Sequence, residues 1–83
     1  MPRDEIPLPI ADIYIPVDRR KTLDPAKVEE LAASIMEEGQ RSAIYVRHDG
    51  KRYILVEGLH RLEACRALGE THITAMLVQA RRK

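Results

Sequence analysis

The segment AIYVRHDGKRYILVEG, residues 43–58, constrains the possible folds of this chain most strongly. Two runs rich in β-branched and aromatic residues flank Asp49 and Gly50, and Asp-Gly is a preferred pair for a two-residue type I′ turn. The segment therefore predicts an antiparallel β-hairpin, so the fold must contain a sheet. The apolar side chains of the two runs need not share one face, and the pairing register stays open.

The segment LDPAKVEELAASIMEEGQ, residues 23–40, predicts an amphipathic helix with well-marked ends. Asp24 is a favourable N-cap residue, Pro25 suits the first helical position, and Gly39 is a natural C-terminal stop. Apolar residues three and four positions apart form one stripe that would face the core. The stripe consists of Val28, Leu31, Ala32 and Ile35.

Prolines shape the first part of the chain. They occur at positions 7, 9 and 16, which argues against a helix and against a central strand in this region. A short strand at a sheet edge is predicted instead from Ile10, Ile13 and Ile15. The segment VDRRKT, residues 17–22, then predicts a polar loop.

The last third of the chain predicts a second helix followed by a final strand. The segment LHRLEACRALG, residues 59–69, supplies apolar residues for a buried side and ends at Gly69, and the β-branched run HITAMLVQ follows. The complete order is β-α-β-β-α-β, which predicts an α+β fold with two helices packed on a small mixed sheet. We expect one domain over residues 1–83, with its core at about 10–79. The buried side of the second helix would consist of Leu62, Ala64, Cys65 and Leu68.

Composition limits which residues can form the core and indicates where in the cell the protein is located. The chain has 83 residues without Phe or Trp, so the core must consist of Ile, Leu, Val, Ala and Met. No apolar run approaches the ~20 residues that cross a membrane, and no basic-then-apolar leader opens the sequence. Because Cys65 is the only cysteine, no intrachain disulfide can form, and we expect a cytoplasmic protein with Cys65 packed in the core.

Charge is spread unevenly, although the formal net charge is only +1. One basic cluster consists of Arg19, Arg20 and Lys21, and another consists of Arg81, Arg82 and Lys83. Such clusters can bind phosphate groups, including those of DNA, even in a nearly neutral protein. The alternative is that they form a solvated loop and a solvated tail.

The segment EGLHR, residues 57–61, lies between the hairpin and the second helix and is the strongest candidate site. A helix N-terminus offers free backbone N–H groups and a positive dipole end. Gly58 permits close backbone approach, and His60 and Arg61 add cationic donors in the first turn. The segment therefore predicts a phosphate cradle. The alternative is a tight turn in which Arg61 pairs with Glu57 and His60 lies on the surface.

These residues resemble the ParB/sulfiredoxin superfamily, from about Ile10 to Gln79. LDPAKVEELAASIMEEGQRSAIYVR is similar to the first conserved block of ParB N-terminal domains, and YILVEGLHRLEACRALG is similar to the second. In the second block, partition ParB proteins carry Gly-Glu-Arg-Arg and sulfiredoxins carry Gly-Cys-His-Arg. Stand-alone ParB-like domains, often called ParB-like nucleases, carry an acidic residue, Gly, a variable residue, His and Arg. Residues 57–61 are nearest to that last form.

The resemblance implies a bound nucleoside triphosphate, ATP or CTP, with Mg²⁺ as a possible companion. His60 and Arg61 match the pair that binds nucleotide phosphates in sulfiredoxin. Lys27 and Ser34 match positions that help to line that phosphate pocket, and they lie on one side of the first predicted helix. The resemblance thus implies one phosphate site shared by two helices.

Two further features bear on the ligand. Related domains place a basic loop near the phosphates, and that loop here carries Arg19 and Arg20. Glu57 is the carboxylate next to the cradle and is the candidate catalytic residue, because it could hold Mg²⁺ on a bound nucleotide or orient a water molecule. Pairing of Glu57 with Arg61 or His60 is the structural alternative.

The chain departs from both named relatives. Leu59 stands where sulfiredoxin has its catalytic cysteine, so reduction of a sulfinic acid by that route is excluded, and Cys65 lies too far into the helix to replace it. Partition ParB proteins have paired arginines where this chain has only Arg61. They also continue into a helix-turn-helix region and a dimerisation segment. A role in partition or transcription would therefore operate without those parts, or within a longer protein.

The histidines and the tyrosines give weaker indications of a functional site. The three histidines, at positions 48, 60 and 72, do not have the spacing of a metal site. The tyrosines could stack bases, but in a core without Phe or Trp we expect them to pack with the hydroxyl outward. They are Tyr14, Tyr45 and Tyr53.

Two functions from different classes remain open. The first is a nucleotide-binding domain, with or without hydrolysis or phosphoryl transfer. The second is a non-catalytic DNA-binding module that assists plasmid partition or transcription. A homodimer or a partner protein is compatible with either. A domain that kept the fold and lost its ligand is a third possibility, against which the joint presence of Lys27, Gly58, His60 and Arg61 counts.

Overall fold

The computed structural model describes residues 5–40 and 42–78, which form five strands and three α-helices. The strands are β1 (Glu5–Pro9), β2 (Ile13–Tyr14), β3 (Ile44–His48), β4 (Tyr53–Glu57) and β5 (His72–Leu77). The helices are α1 (Val17–Arg20), α2 (Pro25–Glu38) and α3 (Leu59–Ala67), and a 3₁₀ turn spans Ile10–Asp12.

The strands form one mixed sheet in the order β1-β5-β3-β4-β2. The pairs β1/β5 and β3/β4 are antiparallel, whereas β3/β5 and β2/β4 are parallel. The predicted α+β class with helices on a small mixed sheet is therefore confirmed. The prolines lie where the sequence argument placed them, because β1, which contains Pro7 and Pro9, is an edge strand.

The first part of the chain differs from the sequence prediction in two respects. The strand expected from Ile10, Ile13 and Ile15 is reduced to the two-residue β2, because Ile10 lies in the 3₁₀ turn, and an unpredicted strand, β1, precedes it. The expected loop contains the four-residue helix α1. Long-range pairing explains the first difference, since β1 pairs with the last strand and the Ile10 N–H donates to the Thr71 carbonyl at 2.9 Å. Pro16 explains the second, because its carbonyl accepts hydrogen bonds from Arg19 and Arg20 at 3.0 and 3.1 Å.

The hairpin of β3 and β4 is confirmed, but its connection is not the predicted two-residue turn. His48 pairs with Tyr53, so four residues form the loop. A type I′ turn needs a positive φ at both central residues, and only Gly50 has one, at 95°. Asp49 instead organises the loop, because its Oδ1 accepts hydrogen bonds from the backbone N–H groups of Lys51 and Arg52, each at 3.0 Å. These hydrogen bonds lower the pKa of the Asp49 carboxyl.

One apolar core lies between the sheet and the two longer helices. Ile44, Val46 and Leu55 of the central strands are almost completely buried, and Leu62 of α3 packs with them. The predicted stripe of α2 faces the same core, with Ile35 buried and the other three residues packed against the cluster. The core therefore fixes the position of α2 and α3 relative to β4, from whose end α3 starts.

Gln40 anchors the segment that leads from α2 into β3. Its side-chain amide contacts both backbone groups of Thr74: the Nε2 group donates to the carbonyl and Oε1 accepts from the N–H, each at 3.1 Å. The amide thus continues the hydrogen-bond ladder of β5 beyond the start of β3.

No helix in the described part of the chain has the length and apolar character that a membrane span needs.

Candidate functional site

The N-termini of α2 and α3 lie next to each other, and one hydrogen bond joins them. The backbone N–H of Asp24 donates to Nε2 of His60 at 3.0 Å, across 36 residues of sequence. Asp24 also caps its own helix, since its Oδ1 accepts from the Ala26 N–H at 3.0 Å, as the sequence predicted. The two helix starts are therefore held together at the end of β4.

This hydrogen bond engages one nitrogen of the His60 ring. With Nε2 accepting the Asp24 N–H, Nδ1 is the ring nitrogen left to contact a ligand. Arg61, in the same first turn, adds a guanidinium.

Both helices place a cation in the first turn, where acidic residues are normally favourable. Lys27 and Arg61 are each the third residue of their helix, and neither first turn contains an acidic side chain. The positive dipole ends and these two cations repel one another in the free protein. No side chain caps the first turn of α3, so its backbone N–H groups remain available. The arrangement suits an anion.

Gly58 is required by the packing of the chain at this point. Its φ of +111° lies in the left-handed region, and an added Cβ would come within 2.7 Å of Cγ2 and 2.9 Å of Cβ of Ile44. Ile44 is completely buried and cannot move aside. The glycine therefore allows β4 to turn directly into α3 above the core.

The start of α3 lines an open depression of about 470 Å³, which we call the α3 depression. The predicted site residues that it brings together are Arg19, Glu57, Gly58, Leu59, His60 and Arg61. Leu59 contributes from the floor, because its side chain is 7% exposed and belongs to the core. The sequence argument did not assign Thr22, Ser42 and Tyr45 to the site, but they line the same depression. Their places depend on how separate elements pack, which no local pattern specifies.

Lys27 and Ser34 line a neighbouring depression of about 400 Å³, the α2 depression, together with Glu30. Leu31 and His60 border both depressions. The predicted pocket between two helices is thus a pair of adjoining depressions.

The two arginines of α1 lie at different depressions. Arg19 lines the α3 depression, whereas Arg20 lines a third depression on the side of the hairpin and donates from Nε to the Ile15 carbonyl at 3.2 Å. Lys21 is the exposed C-cap residue of α1. The second predicted cluster, Arg81 to Lys83, lies outside the described residues.

A β-bulge precedes the site. Val46 pairs with Leu55, but Tyr45 pairs with Glu57, so Val56 is an extra residue in β4. The bulge brings Glu57 opposite Tyr45, and both side chains line the α3 depression. Among the described residues, neither Glu57 nor Arg61 has a side-chain hydrogen bond or ion pair, so the alternative pairing of the two is not formed.

Cys65 lies in the core, as the sequence predicted, and is 3% exposed. Burial raises the pKa of its thiol, and the carboxylate of Glu70 adds to this effect while Arg61 opposes it. Because the raised pKa belongs to the folded state, the buried thiol favours folding below the pKa of the unfolded thiol and loses this contribution as the pH rises above it.

We therefore expect Cys65 to react with a thiol reagent at least about tenfold more slowly in the native protein than in denaturant. The measurement is the rate of absorbance change with an aromatic disulfide at several pH values. A matched control carries Cys65→Ala with Ala67→Cys, which moves the thiol to an exposed position on the same helix. Equal rates for the native protein and this control would contradict the burial of Cys65.

No group of three or more His, Cys, Asp or Glu side chains that could hold a metal occurs in the described ranges. Glu57 is a single carboxylate at the edge of the α3 depression, which suits a Mg²⁺ ion that takes most of its ligands from phosphate and water. The residues present therefore fit a metal carried by a nucleotide.

Known proteins are similar to this chain in sequence and in fold. A family model for the ParB N-terminal domain matches residues 3–83. The probable chromosome-partitioning protein ParB of Campylobacter jejuni is 39% identical over 62 residues, which cover 75% of this chain and 22% of that protein. The chain spans less than a quarter of the curated relatives that it matches.

Two crystal structures are similar over most of the chain. Sulfiredoxin from Arabidopsis thaliana gives a TM-score of 0.82 at 32% identity, covering 92% of this chain and 85% of that one. The C-terminally truncated chromosome-partitioning protein ParB from Caulobacter crescentus, complexed with CTP-γ-S, gives 0.80 at 26% identity, covering 93% and 45%. With the family model matching almost every residue, the chain belongs to the ParB N-terminal domain family, on the fold that ParB shares with sulfiredoxin.

Proposed function

We propose that this chain binds a nucleoside triphosphate, with the phosphates at the start of α3. The proposal rests on the meeting of two helix N-termini, each with a first-turn cation and without a first-turn acid, beside two adjoining depressions. An anion with several negative charges would relieve the repulsion among these groups. A triphosphate is such an anion.

Each residue at the site has a distinct role in this proposal. Arg61 provides a guanidinium that has no partner among the described residues, and such a group suits bidentate contact with phosphate oxygens. The backbone N–H groups at the start of α3 and the Nδ1–H of His60 donate to the same phosphates. Arg19 approaches from α1, and Lys27 and Ser34 extend the site into the α2 depression.

The relatives support nucleotide binding and suggest a setting. The ParB of Caulobacter crescentus is complexed with CTP-γ-S, and the curated relatives are chromosome-partitioning proteins. We therefore propose CTP as the first nucleotide to test and ATP as the second. Chromosome or plasmid partition is the proposed biological context, with nucleotide binding as a switch for association with a second copy or a partner protein.

Calorimetric titration with CTP and with ATP, each with Mg²⁺, tests the proposal. We expect saturable micromolar binding of at least one triphosphate and much weaker binding of the corresponding monophosphate, because most of the contacts are made to phosphate. Light scattering with and without the bound nucleotide then tests association. Absence of heat with every triphosphate, in a protein shown to be folded by circular dichroism, would reject the proposal.

Hydrolysis is a further part of the proposal and depends on Glu57. As a general base or as a ligand of nucleotide-bound Mg²⁺, Glu57 would contribute about 10²- to 10⁴-fold to the rate. We expect Glu57→Gln to lower phosphate release by at least about tenfold and to leave nucleotide affinity within about threefold. Unchanged phosphate release in the variant would remove Glu57 from the chemistry and leave a binding function.

A further inference from the structure

The third depression, which we call the hairpin depression, has a composition unlike that of the α3 depression. It measures about 520 Å³ and lies between the 3₁₀ turn, β2, α1 and the loop of the hairpin. Its cationic residues are Arg20, Lys51 and Arg52, and its aromatic residues are Tyr14 and Tyr53. Asp12 is the one carboxylate among the described residues that line it.

A flat cation lies on an aromatic ring in this depression. The guanidinium carbon of Arg52 is 3.9 Å from the centroid of the Tyr14 ring. The Arg52 Nε lies 3.8 Å from Oδ2 of Asp49, and the Arg52 side chain is still 52% exposed. One face of the guanidinium is therefore covered by Tyr14, and the side chain keeps enough exposed surface to accept a second planar partner on the other face.

Arg20 is anchored by a hydrogen bond from its Nε to the Ile15 carbonyl at 3.2 Å. Arg52 is positioned instead by the Tyr14 ring and by the longer ion pair with Asp49. The terminal Nη groups of both arginines make no hydrogen bond among the described residues. A guanidinium that is already positioned loses less conformational entropy when it binds a phosphate group. Lys51 adds an exposed ammonium at the hairpin loop.

We propose that the hairpin depression binds a segment of single-stranded nucleic acid. A base stacks on the open face of the Arg52 guanidinium, and the flanking phosphates contact Arg20 and Lys51. Planar stacking surfaces together with spaced cations are the chemistry by which single strands are recognised. A duplex would not offer the face of a base, and an acidic peptide would make no use of the stacked guanidinium.

This site is separate from the proposed nucleotide site. The two consecutive arginines of α1 divide between them, with Arg19 at the α3 depression and Arg20 at the hairpin depression. None of the residues that carry the new proposal lines the α3 depression. Loss of one activity would therefore leave the other measurable.

Fluorescence anisotropy with a labelled 12-nucleotide single strand at low salt tests the proposal. We expect saturable binding that weakens steeply with salt, and a loss of about 5- to 50-fold in affinity for Arg52→Ala. Tyr14→Leu should weaken binding because it removes the support under Arg52, whereas Tyr14→Phe should retain it. Arg52→Lys, which keeps the charge but not the plane, should bind more weakly than the native protein.

Arg66→Ala is the matched control, since Arg66 is exposed and lies on α3 outside the hairpin depression. It should change the affinity by less than about twofold. Four results would overturn the proposal: no saturable binding, equal losses for Arg66→Ala and Arg52→Ala, equal affinity for the duplex of the same sequence, or equal competition by an acidic peptide of matched charge. Calorimetry with CTP on Arg52→Ala checks that the nucleotide site is unaffected.

Discussion

Replacing Gly58 with alanine is expected to lower the free energy of unfolding by about 3–5 kcal/mol. Two costs combine, namely the strain of an L-residue at a φ of +111° and the contact of the new Cβ with Ile44 at 2.7 Å. A domain of this length has a total stability of about 4–12 kcal/mol, so much of the variant would be unfolded at moderate temperature. Urea denaturation followed by circular dichroism measures the change.

Gly69→Ala is the matched control for this prediction. Gly69 follows the other end of α3 with a φ of +85°, but an added Cβ would meet nothing within 4 Å. This variant should lose only about 1–2 kcal/mol, the cost of strain alone. Equal losses in the two variants would show that the contact with Ile44 does not contribute to the loss of unfolding free energy. Combining Gly58→Ala with Ile44→Ala should give a less than additive loss, because the second change removes the closest atom, Cγ2, although Cβ at 2.9 Å remains.

Replacing Arg61 with alanine is expected to weaken triphosphate binding by about 1.5–3 kcal/mol, a factor of roughly 10–150 in Kd. The guanidinium has no protein partner to lose among the described residues, so the stability of the free protein should change little. Calorimetric titration gives the affinity, and denaturation of the same variant gives the stability. A large loss of stability would indicate that Arg61 is structural.

Arg66→Ala controls for the general effect of removing a positive charge from α3. Arg66 lies in the last turn of the helix and its Nε is 3.4 Å from Oε1 of Glu63. Its removal should leave the triphosphate affinity within about twofold. If both variants lost affinity equally, the binding would reflect net charge and not a contact at the start of α3. If neither lost affinity, the phosphates would lie elsewhere.

Local signals in the sequence predicted much of the fold because they act over a few residues. The cap at Asp24, the apolar stripe that ends at Ile35 and the stop at Gly39 all occur as predicted in α2. The hairpin and α3 follow from equally local patterns. The strand β1 could not be found in this way, since it depends on pairing with β5, from which it is separated by most of the chain.

Several of the residues that the sequence singled out lie together, but the contacts between them were not predicted. Residues 57–61 and Arg19 meet at one depression, as expected from a helix start beside a basic segment. The hydrogen bond from Asp24 to His60 and the placement of Tyr14 under Arg52 depend on how separate elements pack, and no spacing in the sequence contains that information. The packing of separate elements also places Arg20 at a different depression from its neighbour Arg19.

The hydrogen bond between Asp24 and His60 also has a consequence for folding. The residues that it joins enclose α2, β3 and β4, so the two sides of the proposed phosphate site are separated along the chain by three elements and are brought together by their packing. We therefore expect binding at the proposed site to be lost in the same denaturation transition as the helices. Calorimetry and circular dichroism at matched denaturant concentrations measure the two.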